Sequence, residues 1–90
     1  MGAMPRIELY GTEFCSFCAA ARLMLKRKGL AYEDIIVSAD PEARAEMERR
    51  SGRRTVPQIF IDGRAIGGFD ELEALDKSGE LDRLLGGAPD

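Results

Sequence analysis

Two cysteines, the only two in the chain, stand two residues apart in Cys15-Ser16-Phe17-Cys18. On a first helical turn, thiols at i and i+3 lie close enough to close a disulfide and to open it again. A helix start also presents unpaired N–H groups and the positive end of the helix dipole, and both favour a thiolate. The pattern therefore reads as a redox centre rather than a staple. Position gives the two thiols different tasks: Cys15, nearest the free N–H groups, is the exposed nucleophile, and Cys18, one turn in on the core-facing stripe, is the resolving thiol. The competing readings are a buried structural thiol pair and a zinc half-site. With no histidine and no third cysteine, a Cys/His zinc site within one chain is excluded, which leaves only an intermolecular or carboxylate-supplemented one.

Three further segments carry chemistry. In Thr55-Val56-Pro57, the proline opens a strand, where a missing N–H does least harm. Alone it reads as a trans edge proline. Beside the cysteine pair it reads as a cis proline that leaves the Val56 N–H and C=O free to pair with an extended, peptide-like substrate. In Gly67-Gly68-Phe69-Asp70-Glu71, the glycines admit a close backbone approach and the helix that follows offers its N-terminus to a carboxylate. Asp70 or Glu71 would then accept from an ammonium, and Asp70 is also a good helix cap whatever the function. Arg53-Arg54, next to the proposed peptide groove, reads either as solvated surface or as the partner of a substrate carboxylate.

The elements that must position these residues follow from periodicity and turn chemistry. Arg6–Tyr10 alternates as a strand. The segment from Cys15 or Ser16 to Lys28 is rich in helix formers and stops at Gly29. Its inner face is Cys18, Ala21 and Leu25, with Met24 beside them, whereas Arg22, Lys26 and Arg27 are placed mostly away from it. Tyr32–Val37 is a second strand, parallel to the first if the helix is a crossover. Asp40-Pro41 starts a helix as N-cap and first position, and Gly52 ends it after Ser51. Thr55–Ile61 reads as a strand, Asp62-Gly63 as a hairpin turn and Arg64–Ile66 as a short strand. Asp70 with Glu73 reads as a capping-box start for a helix to about Lys77, and Glu80–Leu85 as a last turn or two. The order β-α-β-α-β-β-α with a C-terminal helix predicts an α/β fold, a four-stranded mixed sheet with helices on both faces. A Cys-x-x-Cys directly after a strand and opening the helix of a βαβ unit is a thioredoxin-like redox motif.

The bulk numbers set the limits. Ninety residues make one domain, 4–90, preceded by Met1-Gly2-Ala3, which reads as an expression-tag remnant before a native Met4. A chain of this size buries roughly 60–68% of its unfolded surface, enough for one core without crosslinks or metal. A net charge of −3 from 13 basic and 16 acidic residues, interleaved along the chain, gives no footprint for nucleic acid. No apolar run approaches the ~20 residues of a membrane span, and no export signal is visible. Two cysteines without such a signal point to a reducing cytoplasm, where a disulfide is transient.

Taken together, Tyr10-x4-Cys15-Ser16-Phe17-Cys18, Thr55-Val56-Pro57 and Gly67-Gly68-Phe69-Asp70-Glu71 resemble the glutaredoxins, and the stretch Gly52–Asp62 resembles their small bacterial dithiol class. The resemblance runs from Arg6 to Leu85, with the three motifs in the family's order and separation. It implies a thioredoxin fold and a monomeric, glutathione-dependent thiol–disulfide oxidoreductase acting on protein disulfides and glutathione mixed disulfides. Carried over by position, Cys15 is the nucleophile, Cys18 the second thiol, and Phe17 flanks glutathione where the family usually has tyrosine. Thr55, Val56 and Pro57 belong to the glutathione site, Val56 pairing through its backbone with the cysteinyl part and Pro57 being the cis proline, and Arg53 meets the glycyl carboxylate. The backbone at Gly68, Phe69 and Asp70 holds the γ-glutamyl carboxylate, and the side chains of Asp70 and Glu71 hold its amine.

There are departures from the pattern. Ser16 replaces the usual proline, Thr12 the usual lysine three residues before the first cysteine, and Glu71 the usual second aspartate. Arg53 or Arg54 is placed to compensate for the lysine. The Ser16 hydroxyl is placed to donate to the Cys15 thiolate or to stabilise the helix start. Some relatives with Cys-Ser-Tyr-Cys hold a 2Fe–2S cluster between two monomers, with two cysteines and two glutathiones supplying the four ligands. That keeps an alternative open in which Cys15 is a cluster ligand and the protein an Fe–S carrier. The rival enzyme reading is a thioredoxin-like reductase served by a flavoprotein, against which the glycine pair and acidic helix start argue. A redox-inert interaction module is the remaining reading.

Overall fold

The computed structural model describes residues 5–86; the tag remnant read at Met1–Ala3 lies outside them. The elements run β1 (Ile7–Gly11), α1 (Ser16–Arg27), β2 (Glu33–Ile36), α2 (Pro41–Ser51), β3 (Gln58–Ile61), β4 (Arg64–Gly67), α3 (Phe69–Ser78) and α4 (Glu80–Leu84). The strands form one sheet in the order β2-β1-β3-β4. β1 and β2 are parallel, joined by the α1 crossover, while β1–β3 and β3–β4 are antiparallel.

Strand alternation sorts the side chains onto two faces. Ile7, Leu9, Ile59 and Ile61 pack with Ala21 and Leu25 of α1, Leu72 of α3 and Leu81 of α4. Tyr10 and Phe60 point the other way and pack with Val37 and with Met47 of α2. Helices therefore cover both faces of a mixed sheet, as the element order predicts. Each buried Leu or Ile contributes about 1.5–3 kcal/mol relative to exposure. Deleting Leu9 or Leu72, both fully buried, removes that contribution and leaves a cavity where the sheet meets α1 and α3.

Two expectations need correction. The third strand begins at Gln58, not Thr55, and the three residues before it leave the sheet; the bond between Val56 and Pro57 is cis, as expected beside the cysteine pair. The third helix begins two residues earlier than its aspartate and glutamate suggest. Its N-cap is Gly68, not Asp70, and the residue at the third helical position is Glu71, not Glu73. Glu71 Oε1 accepts from the Gly68 N–H at 2.7 Å, which is one half of a capping box. Gly67 allows this, because it sits at φ +116° and a Cβ there would lie 2.7 Å from Glu71 Oε1.

Candidate active site

β1 ends at Gly11, and a short loop carries the chain to Cys15, which is itself the N-cap of α1. Its sulfur does the work that a cap oxygen usually does, accepting the Cys18 N–H at 3.2 Å. As a thiol it lies 3.9 Å from the Val56 C=O, to which it donates. The Ser16 hydroxyl makes no hydrogen bond among the described residues, so the helix start rests on Cys15 rather than on Ser16.

The two sulfurs differ in burial and in acidity. Cys18 is fully buried, and Cys15 is partly exposed. Burial alone would raise the Cys15 pKa. The hydrogen bonds its sulfur receives from the Cys18 thiol and from the Cys18 and Phe17 amides, with the charge of Arg22, outweigh that and hold it below the ordinary thiol value. Burial pushes Cys18 up to about 11, and the neighbouring Cys15 adds to the rise. Position in the helix produces this asymmetry: the first turn brings one sulfur to the open amides and carries the other into the core.

Beside the thiols lies a groove of about 210 Å³. Most of the site residues expected from sequence meet there: Phe17, then Arg53, Thr55 and Pro57, and Gly68, Phe69, Asp70 and Glu71 at the start of α3. The Phe17 and Phe69 rings stand 6.4 Å apart, tilted by 33°. Val56 is not on the groove wall, but its carbonyl faces Cys15 and its N–H makes no hydrogen bond among the described residues. The Phe69 and Asp70 N–H groups at the start of α3 likewise have no partner among the described residues, while the Leu72 N–H already bonds the Gly68 carbonyl. The lining of the groove thus gathers a cation, open N–H groups and an exposed carboxylate beside the partly exposed Cys15 thiol.

The two arginines are told apart. Arg53 lines the groove and its Nη1 lies 3.5 Å from Glu71 Oε1, whereas Arg54 is 88% exposed and turned toward Glu48. Glu71 is occupied by the Gly68 amide first and by Arg53 second, and these hold its carboxyl below the usual range. It is therefore a cap and a tether for Arg53. Asp70 is exposed and makes no hydrogen bond among the described residues.

Two contributors were missed in the sequence. Gln58 is almost fully buried, and its Nε2 donates to the Thr55 carbonyl and hydroxyl at 3.0 and 3.2 Å, holding the segment before Pro57 in place. A lone amide opening an apolar strand was the available signal. Arg22 is not turned away from the core-facing side: its side chain is only 16% exposed and its Nε donates to Asp34 Oδ1 at 3.1 Å. Its spacing of four from Cys18 places it on the same stripe. Among the described residues, no group of three or more His, Cys, Asp or Glu side chains has metal-binding geometry, and no helix is long and apolar enough to cross a membrane.

A glutaredoxin family model matches residues 7–66. Glutaredoxin 3 of Escherichia coli K12 is 46% identical over 82 residues, covering 91% of this chain and 99% of that protein. The solution structure of glutaredoxin from Brucella melitensis superposes with a TM-score of 0.82 at 48% identity, covering 96% of this chain and 94% of that one. The crystal structure of a buckwheat glutaredoxin–glutathione complex superposes with a TM-score of 0.80 at 28% identity, covering 89% and 76%. With its sheet order, its Cys-x-x-Cys capping α1 and this likeness over nearly its whole length, the chain has the thioredoxin fold and belongs to the glutaredoxin family of thiol–disulfide oxidoreductases.

Proposed function

We propose that this chain uses glutathione to reduce glutathione mixed disulfides and protein disulfides, with Cys15 as nucleophile and Cys18 as resolving thiol. The observation that carries the reading is the pairing of a partly exposed thiol of lowered pKa with a neighbouring groove whose cation, open N–H groups and exposed carboxylate match the two carboxylates and the ammonium of glutathione. Glutathione carries a carboxylate at its glycyl end and both a carboxylate and an ammonium at its γ-glutamyl end. Arg53 meets the first carboxylate. The free Phe69 and Asp70 amides at the α3 N-terminus meet the second. With Glu71 committed to Gly68 and Arg53, Asp70 is the acid that receives the ammonium. Val56 pairs through its backbone with the cysteinyl residue, which brings the glutathione sulfur to Cys15, and the exposed face of Phe17 covers it. The neighbour solved as a complex with glutathione supports this choice of ligand.

In the first step the Cys15 thiolate attacks the glutathionyl sulfur of a mixed disulfide. A Cys15–glutathione disulfide forms, the original S–S bond breaks, and the substrate thiolate leaves and takes a proton. A second glutathione thiolate then attacks the glutathionyl sulfur, releasing oxidised glutathione and restoring Cys15. With a protein disulfide, Cys15 forms a mixed disulfide with the substrate, and Cys18 attacks Cys15 to release the reduced protein. Two glutathiones then reduce the Cys15–Cys18 disulfide. A thiol of lowered pKa is more ionised at a given pH and a better leaving group than an ordinary thiol, so Cys15 suits both roles. The chain works as a monomer in a reducing, cytoplasmic compartment on this reading.

The test is a glutathione-coupled reduction of a mixed disulfide by wild type, Cys15→Ser and Cys18→Ser. Cys15→Ser is expected to lose activity at least about 100-fold, while Cys18→Ser keeps much of it. Equal losses in the two variants would remove the monothiol route. A thioredoxin reductase replacing glutathione as electron donor would remove glutathione. A coloured dimer after reconstitution with iron, sulfide and glutathione would instead support cluster carriage through Cys15.

A further inference from the structure

Arg22 is placed to act on the second thiol. Its guanidinium is held by Asp34 of β2 through Nε, and its Nη2 is the one buried side-chain nitrogen or oxygen without a hydrogen-bond partner among the described residues. Such an orphaned donor is costly to retain unless it has a use. Its position indicates that use. A Cβ built on Gly11 would lie 3.0 Å from Cys18 Sγ and 3.1 Å from Arg22 Nη2. The sulfur and the nitrogen therefore flank one point and lie within about 6 Å of each other, the range over which a positive charge favours a thiolate. Only the missing side chain of Gly11 keeps the space between them open.

We propose that Arg22 is a positioning residue for the dithiol branch of the reaction, its free Nη2 stabilising the Cys18 thiolate as that sulfur attacks the Cys15 mixed disulfide. The inference rests on the reading of Cys18 as the resolving thiol. In the step concerned, the Cys18 thiolate forms a bond to Cys15 Sγ and the bond from Cys15 to the substrate sulfur breaks. The substrate leaves as a thiolate and takes a proton from solvent; the two cysteines are oxidised to a disulfide as the substrate disulfide is reduced. The Cys18 sulfur is otherwise buried and faces Cys15, the Thr12 amide and Arg22, with Asp34 behind the arginine. Among the described residues Arg22 is the cationic side chain that acts on it, and it lowers the thiol against the rise that burial imposes.

The test follows Cys18 directly. In a Cys15→Ser background, alkylation of Cys18 by iodoacetamide is measured against pH for Arg22, Arg22→Met, Arg22→Gln and Arg22→Lys. Arg22→Met removes the charge and the orphaned donor together, so it is expected to fold, and urea unfolding of each variant checks this. Both neutral variants are expected to raise the midpoint by about 0.5–1 pH unit, and Arg22→Lys to recover at least half of that shift. With both cysteines present, Cys15 is converted to a mixed disulfide with a nitrobenzoate thiol, and release of the coloured thiolate reports closure by Cys18. Closure at neutral pH is expected to slow about 3–10-fold in the neutral variants and less in Arg22→Lys. An unmoved midpoint with closure at the wild-type rate would overturn the proposal, as would equal slowing in the neutral and lysine variants. Neither readout uses glutathione, so a failure of glutathione as reductant would refute the proposed function and leave this result standing.

Discussion

Two polar constellations lie on the two sides of β1 and treat the same kinds of groups in opposite ways. Under α2, Arg50 grips Glu8 with both Nη atoms, at 3.1 and 3.0 Å, and donates to the Tyr10 hydroxyl at 2.7 Å, which donates in turn to Glu46 at 2.6 Å. The guanidinium also lies 4.1 Å from the centre of the Phe60 ring. Chain partners engage each of these polar side chains. The hydrogen bond from Arg50 holds the Glu8 carboxyl below its ordinary value in spite of burial. At the thiol end, by contrast, the Val56, Phe69 and Asp70 amides and Arg22 Nη2 are left without partners among the described residues. A polar group whose partners all come from the chain contributes to structure. On the proposed function the open Val56, Phe69 and Asp70 amides meet a ligand that arrives with its own acceptors, while the buried Arg22 Nη2 serves the Cys18 thiolate.

The comparison is broken most severely at Arg50. Arg50→Met leaves Glu8, whose side chain is 8% exposed, with the exposed Arg6 at 3.5 Å as its remaining cation among the described residues, and is expected to cost about 2–3 kcal/mol in urea unfolding at pH 7. Cys15 alkylation should not change. The sign with pH follows from linkage. Glu8 has a depressed folded pKa, so its contribution is present above the unfolded carboxylate value of about 4.3 and is lost as pH falls through the folded value. The deficit of the variant should therefore shrink in acid. Removing Glu8 as well, in Glu8→Gln/Arg50→Met, should recover part of the loss.

The open end is expected to show the reverse pattern. Arg53→Ala removes a side chain that is 52% exposed, so stability should change by no more than about 0.5 kcal/mol. The KM for glutathione should rise about 5–10-fold, as for loss of one charge-assisted hydrogen bond, with kcat little changed. Arg54→Ala, at a side chain turned out of the groove, serves as the control and should leave KM alone. Equal effects of the two arginines would undo the assignment of Arg53 to the glycyl carboxylate.

Much of this molecule was legible in its sequence because local chemistry and tertiary structure agree. Pro41 after Asp40 and Gly52 after Ser51 bound α2 where expected. Cys18, Ala21 and Leu25 form the buried stripe of α1, as the 3.6-residue period requires. Most of the groove was also legible, since its residues sit beside the breaks that turn chemistry marks. The misreadings arose where tertiary context chose between equivalent local signals. Asp70/Glu73 and Gly68/Glu71 share the same cap spacing, and the close packing of Glu71 on Gly67 selects the second. Arg22 was assigned outward because it is charged, although its spacing from Cys18 is helical; only Asp34, brought in by the parallel pairing of β2 with β1, gives the arginine a reason to lie inward. The departure of Thr55–Pro57 from the sheet goes with the hydrogen bonds of the Gln58 side chain to Thr55, which strand propensity does not encode; the cis proline, by contrast, was legible beside the cysteine pair.

The central claim is that the two thiols are made unequal by their places on α1. Site-resolved alkylation of the wild-type reduced protein across pH, with each cysteine identified by peptide fragmentation, tests it most directly. The account predicts that Cys15 reacts with a midpoint below the ordinary thiol value of about 8.5, while Cys18 remains protected until the pH approaches about 11. Two thiols that titrate together near the ordinary value, or Cys18 reacting first, would contradict it.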